Sequence, residues 1–430
     1  MSASILGEQM SSIVSDKVRR LLDQGVVIHS PATVDVDDSF DPGCIAPGVV
    51  VHAGCRLRGS GTSIGPGSVI GEEAPATIDD CQLGRGVELK GGYFSGSTFL
   101  DGSRVGSCAH VRPGTLLEEQ ASAAHSVGLK QTILLPFVTV GSLVNLCDCL
   151  VSGGTGPGDH SEVGSSYIHF NFTPHQDKAT ASLLGDVPRG VMLERPPIFL
   201  GGQGGLVGPA RLAFGTVVAA GVTCRQDILE ENRLFAGRAA VRAGTRPYSN
   251  GAYAGIDRLL ANNLHYIGNI RALQAWYRAA RKPLMTGLPC QEACHAGATA
   301  QLVLIFEERV SRLGQMVEGM AEVIAVAEAG QRPGLGEGAA RSYKELIDSW
   351  PAIENRLRAG IPEATGAADR ETFLAEWSGV PAQTPYPEAV ASLSPAARNA
   401  GSAWLQAVVD EVAVTAGGIY SRRRGSSTGD

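Results

Sequence analysis

The sequence predicts a parallel β-helix built from six-residue repeats, followed by an α-helical C-terminal domain. Three observations carry this prediction: aliphatic residues recur every six positions in the first half, glycines crowd residues 43–251, and the segment after residue 255 is rich in Ala, Leu, Glu and Arg. The change in composition near residues 246–255 marks a domain boundary. We therefore expect an N-terminal capping helix in residues 1–25, a β-helix in 26–250, a helical domain in 251–420 and a disordered tail in 421–430.

Aliphatic residues open successive six-residue units in three separate stretches of the chain. These residues are Ile45, Val51 and Leu57, then Val105, Val111 and Leu117, then Val207, Ala213 and Ala219, with shorter runs at Ile64 and Ile70 and at Val140 and Leu146. A period of six is neither helical nor a simple two-residue alternation. It is typical of a coil in which each unit forms one short strand and a corner, and three units complete a turn. We therefore expect these side chains to stack inside the coil, with glycine at the corners where a Cβ would be strained.

Helical periodicity predicts further elements on both sides of the β-helix. Apolar residues between Ile13 and Leu22 have helical spacing that ends at Gly25, so a helix is expected to cap the first coil. After the domain boundary, helices are expected within residues 256–277, 310–324, 340–358 and 395–414. Their apolar stripes predict a helical bundle or a helical oligomerisation module.

Composition and charge exclude several classes of function. The net charge is -7, from 36 basic and 43 acidic side chains, so nothing indicates a nucleic acid as partner. No apolar run approaches the length needed to span a bilayer, and the N-terminus does not have the pattern of a secretory signal. The 9 cysteines are odd in number and scattered, which argues against a disulfide framework and for a reducing compartment. We expect a soluble cytoplasmic protein that binds neither nucleic acid nor membrane.

A short cysteine motif in the helical segment is the most metal-like pattern in the sequence. In CQEACH, Cys290 and Cys294 lie one helical turn apart and His295 is adjacent. A structural zinc site normally has four ligands, and no second cluster is evident in the sequence. We therefore predict no metal site here.

One stretch interrupts the repetitive pattern and connects the sequence to a known family. Residues 158–178, GDHSEVGSSYIHFNFTPHQDK, contain three histidines, two phenylalanines, an asparagine and a lysine. Together with RRLLDQGVVIHSPATVDVDD, VRPGTLLE, GLKQTIL and IFLGGQGGLVGPARLAFGTVVAAGVTCRQD, this stretch resembles the β-helix half of the bifunctional enzyme UDP-N-acetylglucosamine pyrophosphorylase/glucosamine-1-phosphate N-acetyltransferase. The resemblance covers roughly half the chain. It implies a left-handed, hexapeptide-repeat β-helix and an acyltransferase related to UDP-N-acetylglucosamine biosynthesis.

The resemblance implies substrate contacts at five residues. Arg112 in VRPG and Lys130 in GLKQ match cations around the sugar phosphate, and their side chains supply the donors that a phosphate requires. Asn171 matches a loop amide that contacts the amino sugar, and Lys178 matches a lysine that in the family reaches a neighbouring subunit's site. Glu162 stands where the family has an amide, and a carboxylate there would repel a sugar phosphate but could hold a cation or an amine.

The sequence departs from the family at the catalytic base. The family's catalytic histidine aligns with Leu143, and Asn145 is close by, but neither side chain can remove a proton from an amine at neutral pH. We expect the base to come from the interrupting stretch, with His160, His169 and His175 as candidates. The glycine-rich loop of a nucleotidyltransferase domain is also not found, so pyrophosphorylase activity is not expected of this chain.

Three functions are open at this point. The first is an N-acyltransferase acting on an amino-sugar phosphate or a nucleotide sugar, with acetyl-CoA as the donor implied by the resemblance and coil N–H groups stabilising the oxyanion. The second is a non-catalytic sugar-nucleotide-binding or scaffold protein, which the missing histidine favours. The third is a metal-dependent hydratase, with zinc ligands drawn from His110, His125, His160, His169 and His175.

The resemblance also implies partners beyond the small-molecule substrate. Such β-helices usually form homotrimers with sites between subunits, so a homotrimer is expected. The helical domain has three possible roles on the sequence alone: it extends the trimer, caps the coil or recruits a separate nucleotidyltransferase.

Overall fold

The structure is a computed structural model that describes residues 14–171, 177–237, 253, 255–329 and 337–426. Short strands form the first half of the chain, and helices form the second. The strands, in chain order, are β1 (Val27–Ile28), β2 (Asp35–Val36), β3 (Val50–Val51), β4 (Arg56–Arg58), β5 (Ser63–Ile64), β6 (Val69–Ile70), β7 (Ala76–Asp79), β8 (Gln82–Leu83), β9 (Glu88–Leu89), β10 (Gly92–Ser95), β11 (Ser97–Phe99), β12 (Arg104–Val105), β13 (Ala109–Val111), β14 (Thr115–Leu117), β15 (Ser122–Ala123), β16 (Gly128–Leu134), β17 (Thr139–Val140), β18 (Asn145–Val151), β19 (Gly154–Gly156), β20 (Asp159–His160), β21 (Glu162–Val163), β22 (Ile168–Phe170), β23 (Ser182–Leu184), β24 (Phe199–Leu200), β25 (Gly205–Val207), β26 (Arg211–Leu212), β27 (Val217–Val218), β28 (Thr223–Cys224) and β29 (Leu234–Phe235).

The helices flank this run of strands. They are α1 (Asp16–Asp23), α2 (Val187–Gly190), α3 (Ile256–Trp276), α4 (Lys282–Leu284), α5 (Pro289–Glu328), α6 (Glu337–Arg358), α7 (Ala367–Trp377), α8 (Tyr386–Ala391) and α9 (Pro395–Ser426), with a π-helical turn at Tyr277–Arg281 between α3 and α4. The first helix is capped by Ser15, whose hydroxyl accepts a hydrogen bond from the N–H of Val18. Such a cap supplies a partner for one of the N–H groups that a helix leaves unpaired at its start.

The strands stack in parallel and form the three faces of a left-handed β-helix. The first face is an 11-stranded sheet that begins with β1 and ends with β29. The second face runs from β2 to β28 and the third from β5 to β26, and both belong to one 16-stranded sheet because β16 and β18 continue across the corner between them. The predicted fold class, a hexapeptide-repeat β-helix followed by a helical C-terminal region, is confirmed.

The predicted inward register is confirmed in the first stretches of the repeat but is wrong by one residue in the last. Buried in the coil are Ile45, Val51, Leu57, Ile64, Ile70, Val105, Val111, Leu117, Val140 and Leu146, as predicted. Near residue 207 the inward side chains are instead Leu206, Leu212 and Val218, whereas Val207, Ala213 and Ala219 are only half-buried. Since side chains alternate between the two sides of a strand, a shift of one residue moves the whole set to the outer face.

The two long strands bend at residues with left-handed backbone conformation. Gln131 in β16 has φ 51° and Asp148 in β18 has φ 61°. Each bend turns the strand from the second face to the third, and in β18 it leaves the buried carboxylate of Asp148 at the corner. Asp tolerates this conformation better than most residues with a side chain.

The helical domain packs along the third face of the coil. Outward side chains of that face belong to the same apolar core as the helices; they are Leu100, Leu116, Ile133, Leu150 and Leu183. Helix α5 lies close to the strands at Gly297, where a Cβ would lie 2.0 Å from Oε1 of Gln82 and 2.7 Å from Oγ1 of Thr98. A larger residue there would displace the Gln82 side chain, so the close approach favours glycine, and the apolar contact fixes the helices against the coil.

A buried polar cluster joins the coil to the helical domain. The hydroxyl of Tyr277 donates a 2.6 Å hydrogen bond to Glu118, and the guanidinium of Arg281 pairs with Glu119. The Arg281 guanidinium also lies 3.9 Å from the centroid of the Tyr386 ring. Burial raises the pKa of the Glu118 carboxyl to about 7, a shift that Arg281 opposes and Glu119 reinforces.

Two further elements complete the described chain. Strands β19 and β20 form a small antiparallel hairpin that leaves the coil. Helix α9 continues to Ser426, so residues 421–426 of the predicted disordered tail are helical; Ala416 and Tyr420 remain buried near its end and extend its apolar stripe. None of the helices in the described residues has both the length and the apolar character needed to cross a bilayer.

The observed register of the last repeats predicts how two substitutions affect stability. We expect Leu206→Ala to lower the free energy of unfolding by about 2–5 kcal/mol, because it empties an inward position of the stacked core. The neighbouring Val207→Ala should cost about 1 kcal/mol or less, because that side chain is half-buried on the outer face. Urea unfolding of both variants measures the difference, and equal losses would contradict the observed register.

The raised pKa of Glu118 predicts a pH dependence of stability. The folded chain keeps a proton that the unfolded chain loses above its ordinary pKa of 4.5, so stability falls as the pH rises from 4.5 to about 7. Glu118→Gln should reduce this fall by about 1–3 kcal/mol. Urea unfolding between pH 4.5 and 8 measures it, with Glu72→Gln at an exposed carboxylate as the control. An unchanged pH profile in the Glu118 variant would contradict the prediction.

Candidate functional site

A cleft of about 330 Å³ opens beside the corner between the second and third faces. Strands β16, β18 and β22 form one side of it, and α5 approaches from the other. The residues that line the cleft are Arg112, Lys130, Asn145, Cys147, Asp148, Ile168, His169, Phe170, Asn171, Lys178, Glu308 and Arg309. The cleft therefore brings together most of the site residues predicted from the sequence.

Strand register places three of these residues in one row. Val111 pairs with Leu129, so Arg112 follows beside Lys130, and Lys130 itself pairs with Cys147. Neighbouring strands are about 4.8 Å apart, so the two cationic side chains leave the second face next to each other. The Nη2 atom of Arg112 lies 3.9 Å from Sγ of Cys147.

The helical domain contributes a buried ion pair to the cleft. Nη2 of Arg309 lies 2.9 Å from Oδ1 of Asp148, and the two side chains are 2% and 5% exposed. The other oxygen of Asp148 accepts a 3.2 Å hydrogen bond from Nδ2 of Asn171, and Nη1 of Arg309 donates to the carbonyl of Lys178 at 3.3 Å. The pair therefore holds Asn171 and Lys178 at the edge of the cleft.

The cleft has an excess of positive charge. Within the described part of the chain, Arg112, Lys130 and Lys178 have no carboxylate oxygen within 4.0 Å of their charged nitrogens. Burial disfavours the ionised form of Glu308, but the hydrogen bond from Arg312 and the nearby cations hold the pKa of that carboxyl below its ordinary value. Three uncompensated cations around one opening are suited to bind an anion.

The thiol in the cleft does not have the character of a nucleophile. Burial raises the pKa of the Cys147 thiol, and Asp148 adds to the rise, although Arg112 and Lys130 oppose it. A thiol with a raised pKa stays protonated at neutral pH, and the thiolate is the reactive form.

His169 occupies an interior position of the coil. Its strand partner is the inward residue Leu206, its side chain is 3% exposed, and its Nε2 atom forms a 2.8 Å hydrogen bond with Oγ of Ser182. Burial lowers the pKa of His169 to about 4, and Arg309 adds to the shift while Asp148 opposes it. The imidazole is therefore neutral at pH 7 and a weak base. Neither its burial nor its low pKa favours the predicted role in proton transfer.

The other predicted residues lie outside the cleft or outside the described residues. His160 is in the β19–β20 hairpin, its Nδ1 lies 2.9 Å from the carbonyl of Pro157, and it lines a different, open cleft. Glu162 is exposed on the first face. His175 lies within residues 172–176, which the structure does not describe. Leu143 is 59% exposed at a corner and does not line the cleft.

Several residues of the cleft were not found from the sequence. Asp148 and Cys147 interrupt the apolar run of LCDCLV, a signal that could have identified them. Glu308 and Arg309 look like part of an ordinary charged helix face in IFEERVSRL. Their position depends on how α5 docks onto the coil, and a single helix pattern does not contain that information.

The described residues contain no group of three His, Cys, Asp or Glu side chains that could hold a metal ion. Four of the five histidines considered as zinc ligands are described by the structure, and they lie at separate places. His110 stacks on Tyr93 with ring centroids 5.3 Å apart, and Nδ1 of His125 lies 3.0 Å from Oγ of Ser142. Among the histidines that the structure describes, only His169 lines the cleft.

No family model matches the chain, but it is similar to curated relatives. It is 29% identical to the bifunctional protein GlmU of Streptococcus equi subsp. zooepidemicus over 204 residues, which are 47% of this chain and 39% of that protein. With GlmU of Pelobacter propionicus the identity is 27% over 214 residues, 49% of this chain and 42% of that protein. The chain spans about two fifths of the length of these relatives. The resemblance to a hexapeptide-repeat acetyltransferase domain is confirmed.

Two solved structures align with part of the chain. LpxA from Acinetobacter baumannii is 13% identical, covers 50% of this chain and 72% of its own, and has a TM-score of 0.21. The UDP-N-acetylglucosamine acyltransferase from Campylobacter jejuni is 13% identical, covers 63% of this chain and 93% of its own, and has a TM-score of 0.17.

The buried ion pair makes a prediction about stability. Arg309→Met should destabilise the chain by about 3–5 kcal/mol, because it leaves the carboxylate of Asp148 buried without its cation. Arg312→Met, three residues along the same helix, should cost about 1 kcal/mol or less, because that side chain is more exposed. Urea unfolding measures both. Adding Asp148→Asn to the Arg309 variant should recover most of the loss, and no recovery would contradict this explanation.

Proposed function

We propose that this chain is an N-acyltransferase-like protein that binds an amino-sugar phosphate or a nucleotide sugar in the cleft. The observation that carries the proposal is the group of three cations, Arg112, Lys130 and Lys178, without carboxylate partners in the described residues. A phosphate group would compensate their charge and accept their hydrogen bonds. The similarity to GlmU proteins supports the same class of ligand.

The edge of the cleft supports recognition of the sugar. Asn171 donates through Nδ2 to Asp148, and no described residue donates to its Oδ1 atom. An amide oxygen in that state accepts a hydrogen bond from a ligand hydroxyl or amine. Because Arg309 and Asp148 hold Asn171 in place, binding requires little further ordering of this side chain.

Acyl transfer is the second proposed activity, and the similarity to GlmU proteins favours it. We take acetyl-CoA as the donor. Removal of the amine proton requires a base, and of the three candidate histidines, His160 lines another cleft and His169 is buried with a low pKa. His175 is therefore the candidate that we retain for this role.

Assembly, cellular location and a protein partner are further parts of the proposal. We propose a homotrimer in the cytoplasm, and a separate nucleotidyltransferase as a partner of the helical domain. Size-exclusion chromatography with light scattering of the full chain tests the homotrimer. No contact in the described residues favours the metal-dependent hydratase.

Ligand binding is tested by calorimetry with glucosamine 1-phosphate and the full chain. Arg112→Ala and Lys130→Ala should each weaken binding by about tenfold or more, because each removes charged hydrogen bonds to the phosphate. Arg104→Ala is the matched control, since this exposed arginine lies on the first face and should change the affinity less than twofold. Equal affinities in all three variants would contradict the proposed phosphate site.

Acetyl transfer is tested by following free thiol released from acetyl-CoA in the presence of glucosamine 1-phosphate. His175→Ala should lower the rate by about 100-fold or more, the usual effect of losing a general base. His160→Ala should leave the rate unchanged, because this residue lies away from the cleft. If the wild-type chain binds the sugar phosphate but releases no thiol, the binding function stands and the catalytic one is wrong.

A further inference from the structure

The polar cleft contains two exposed apolar side chains. Phe170 is 39% exposed and Ile168 is 42% exposed, and both line the cleft. They stand two residues apart on β22, so they point to the same side of the strand. An apolar wall beside three cations is the surface that a ligand with a charged end and a flat apolar part requires.

The backbone of the next coil supports the Phe170 ring. A Cβ at Gly205 would lie 2.4 Å from Cε2 and 3.1 Å from Cδ2 of Phe170, so the ring rests against a glycine of the neighbouring strand. Any other residue at this position would push the ring away. The part of the ring that stays exposed faces the cleft and can stack against a ligand.

The row of residues across the second face connects this ring with the cations. Asn145 of β18 pairs with Ile168 of β22, and Cys147 of β18 pairs with Lys130 of β16, so β18 lies between the strand that holds Phe170 and the strand that holds Lys130. The backbones of Lys130 and Phe170 are therefore two strand spacings apart, about 10 Å. Charged groups occupy one end of the row and the aromatic ring the other.

We propose that Phe170 and Ile168 form a platform for the base of a nucleotide, with its phosphates at Arg112 and Lys130, so that the ligand is a nucleoside diphosphate sugar. This inference rests on the proposed function and selects between its two substrate classes. A simple sugar phosphate would place its charge at the cations and have no base for the platform. A nucleoside diphosphate matches both ends of the row: its phosphates match the cations, and its base matches the aromatic ring. Every base has a flat face that can stack on an aromatic side chain.

The inference is tested by calorimetry on the full chain with uridine diphosphate and inorganic pyrophosphate, two probes that share the diphosphate and differ in the nucleoside. Uridine diphosphate should bind about tenfold more tightly, and Phe170→Leu should remove most of that difference while pyrophosphate affinity changes less than about twofold. Phe170→Trp, which keeps an aromatic surface, should retain the difference. Phe199→Leu is the matched control, because Phe199 is equally exposed but lies on the first face.

The outcomes separate this inference from the proposed function. If uridine diphosphate and pyrophosphate bind equally and Arg112→Ala weakens both, the phosphate site stands and the base platform is wrong. If Phe170→Leu and Phe199→Leu have the same effect, the platform is also wrong. If neither probe binds and glucosamine 1-phosphate does not bind, the proposed function itself fails.

Discussion

Side chains along each strand of the coil alternate between the interior and one outer face, and the aliphatic residues occupy the interior. This constraint orders the outer faces as well. Once Val111 and Leu129 are buried on adjacent strands, Arg112 and Lys130 must emerge side by side from the next position. The row of cations in the cleft is thus a consequence of core packing, and the register must be intact for the cations to meet.

The second determinant is the docking of the helical domain on the third face. Apolar side chains on both surfaces form one core, and that contact brings Arg309 of α5 against Asp148 at the corner. Breaking such a buried pair lowers the free energy of unfolding, because the remaining charge stays buried without a partner and without water. The helices therefore do more than cover the coil: through Asp148 they position Asn171, and through a carbonyl contact they hold Lys178.

The electrostatic character of the cleft suits recognition of an anion more clearly than proton transfer. Arg112, Lys130 and Lys178 have no carboxylate partner within the described residues. The one described histidine of the cleft, His169, is hydrogen-bonded to Ser182, and burial lowers its pKa to about 4. His169 stands in an interior position where most coils have an aliphatic residue. The burial that makes His169 part of the core also makes it a weak base. Its closeness in sequence to Asn171 and Lys178 does not reveal that burial.

The sequence by itself determined the coil, the order of its repeats and the helices, because period and composition are local properties. The family resemblance singled out Arg112 and Lys130, which the strand register places side by side. The sequence placed the last repeats one residue out of register, because Val207 and Leu206 are both aliphatic and only pairing with the adjacent strand distinguishes them. Tertiary structure alone decided that Arg309 completes the cleft, since its burial depends on how two distant surfaces pack and no periodicity within α5 encodes that contact.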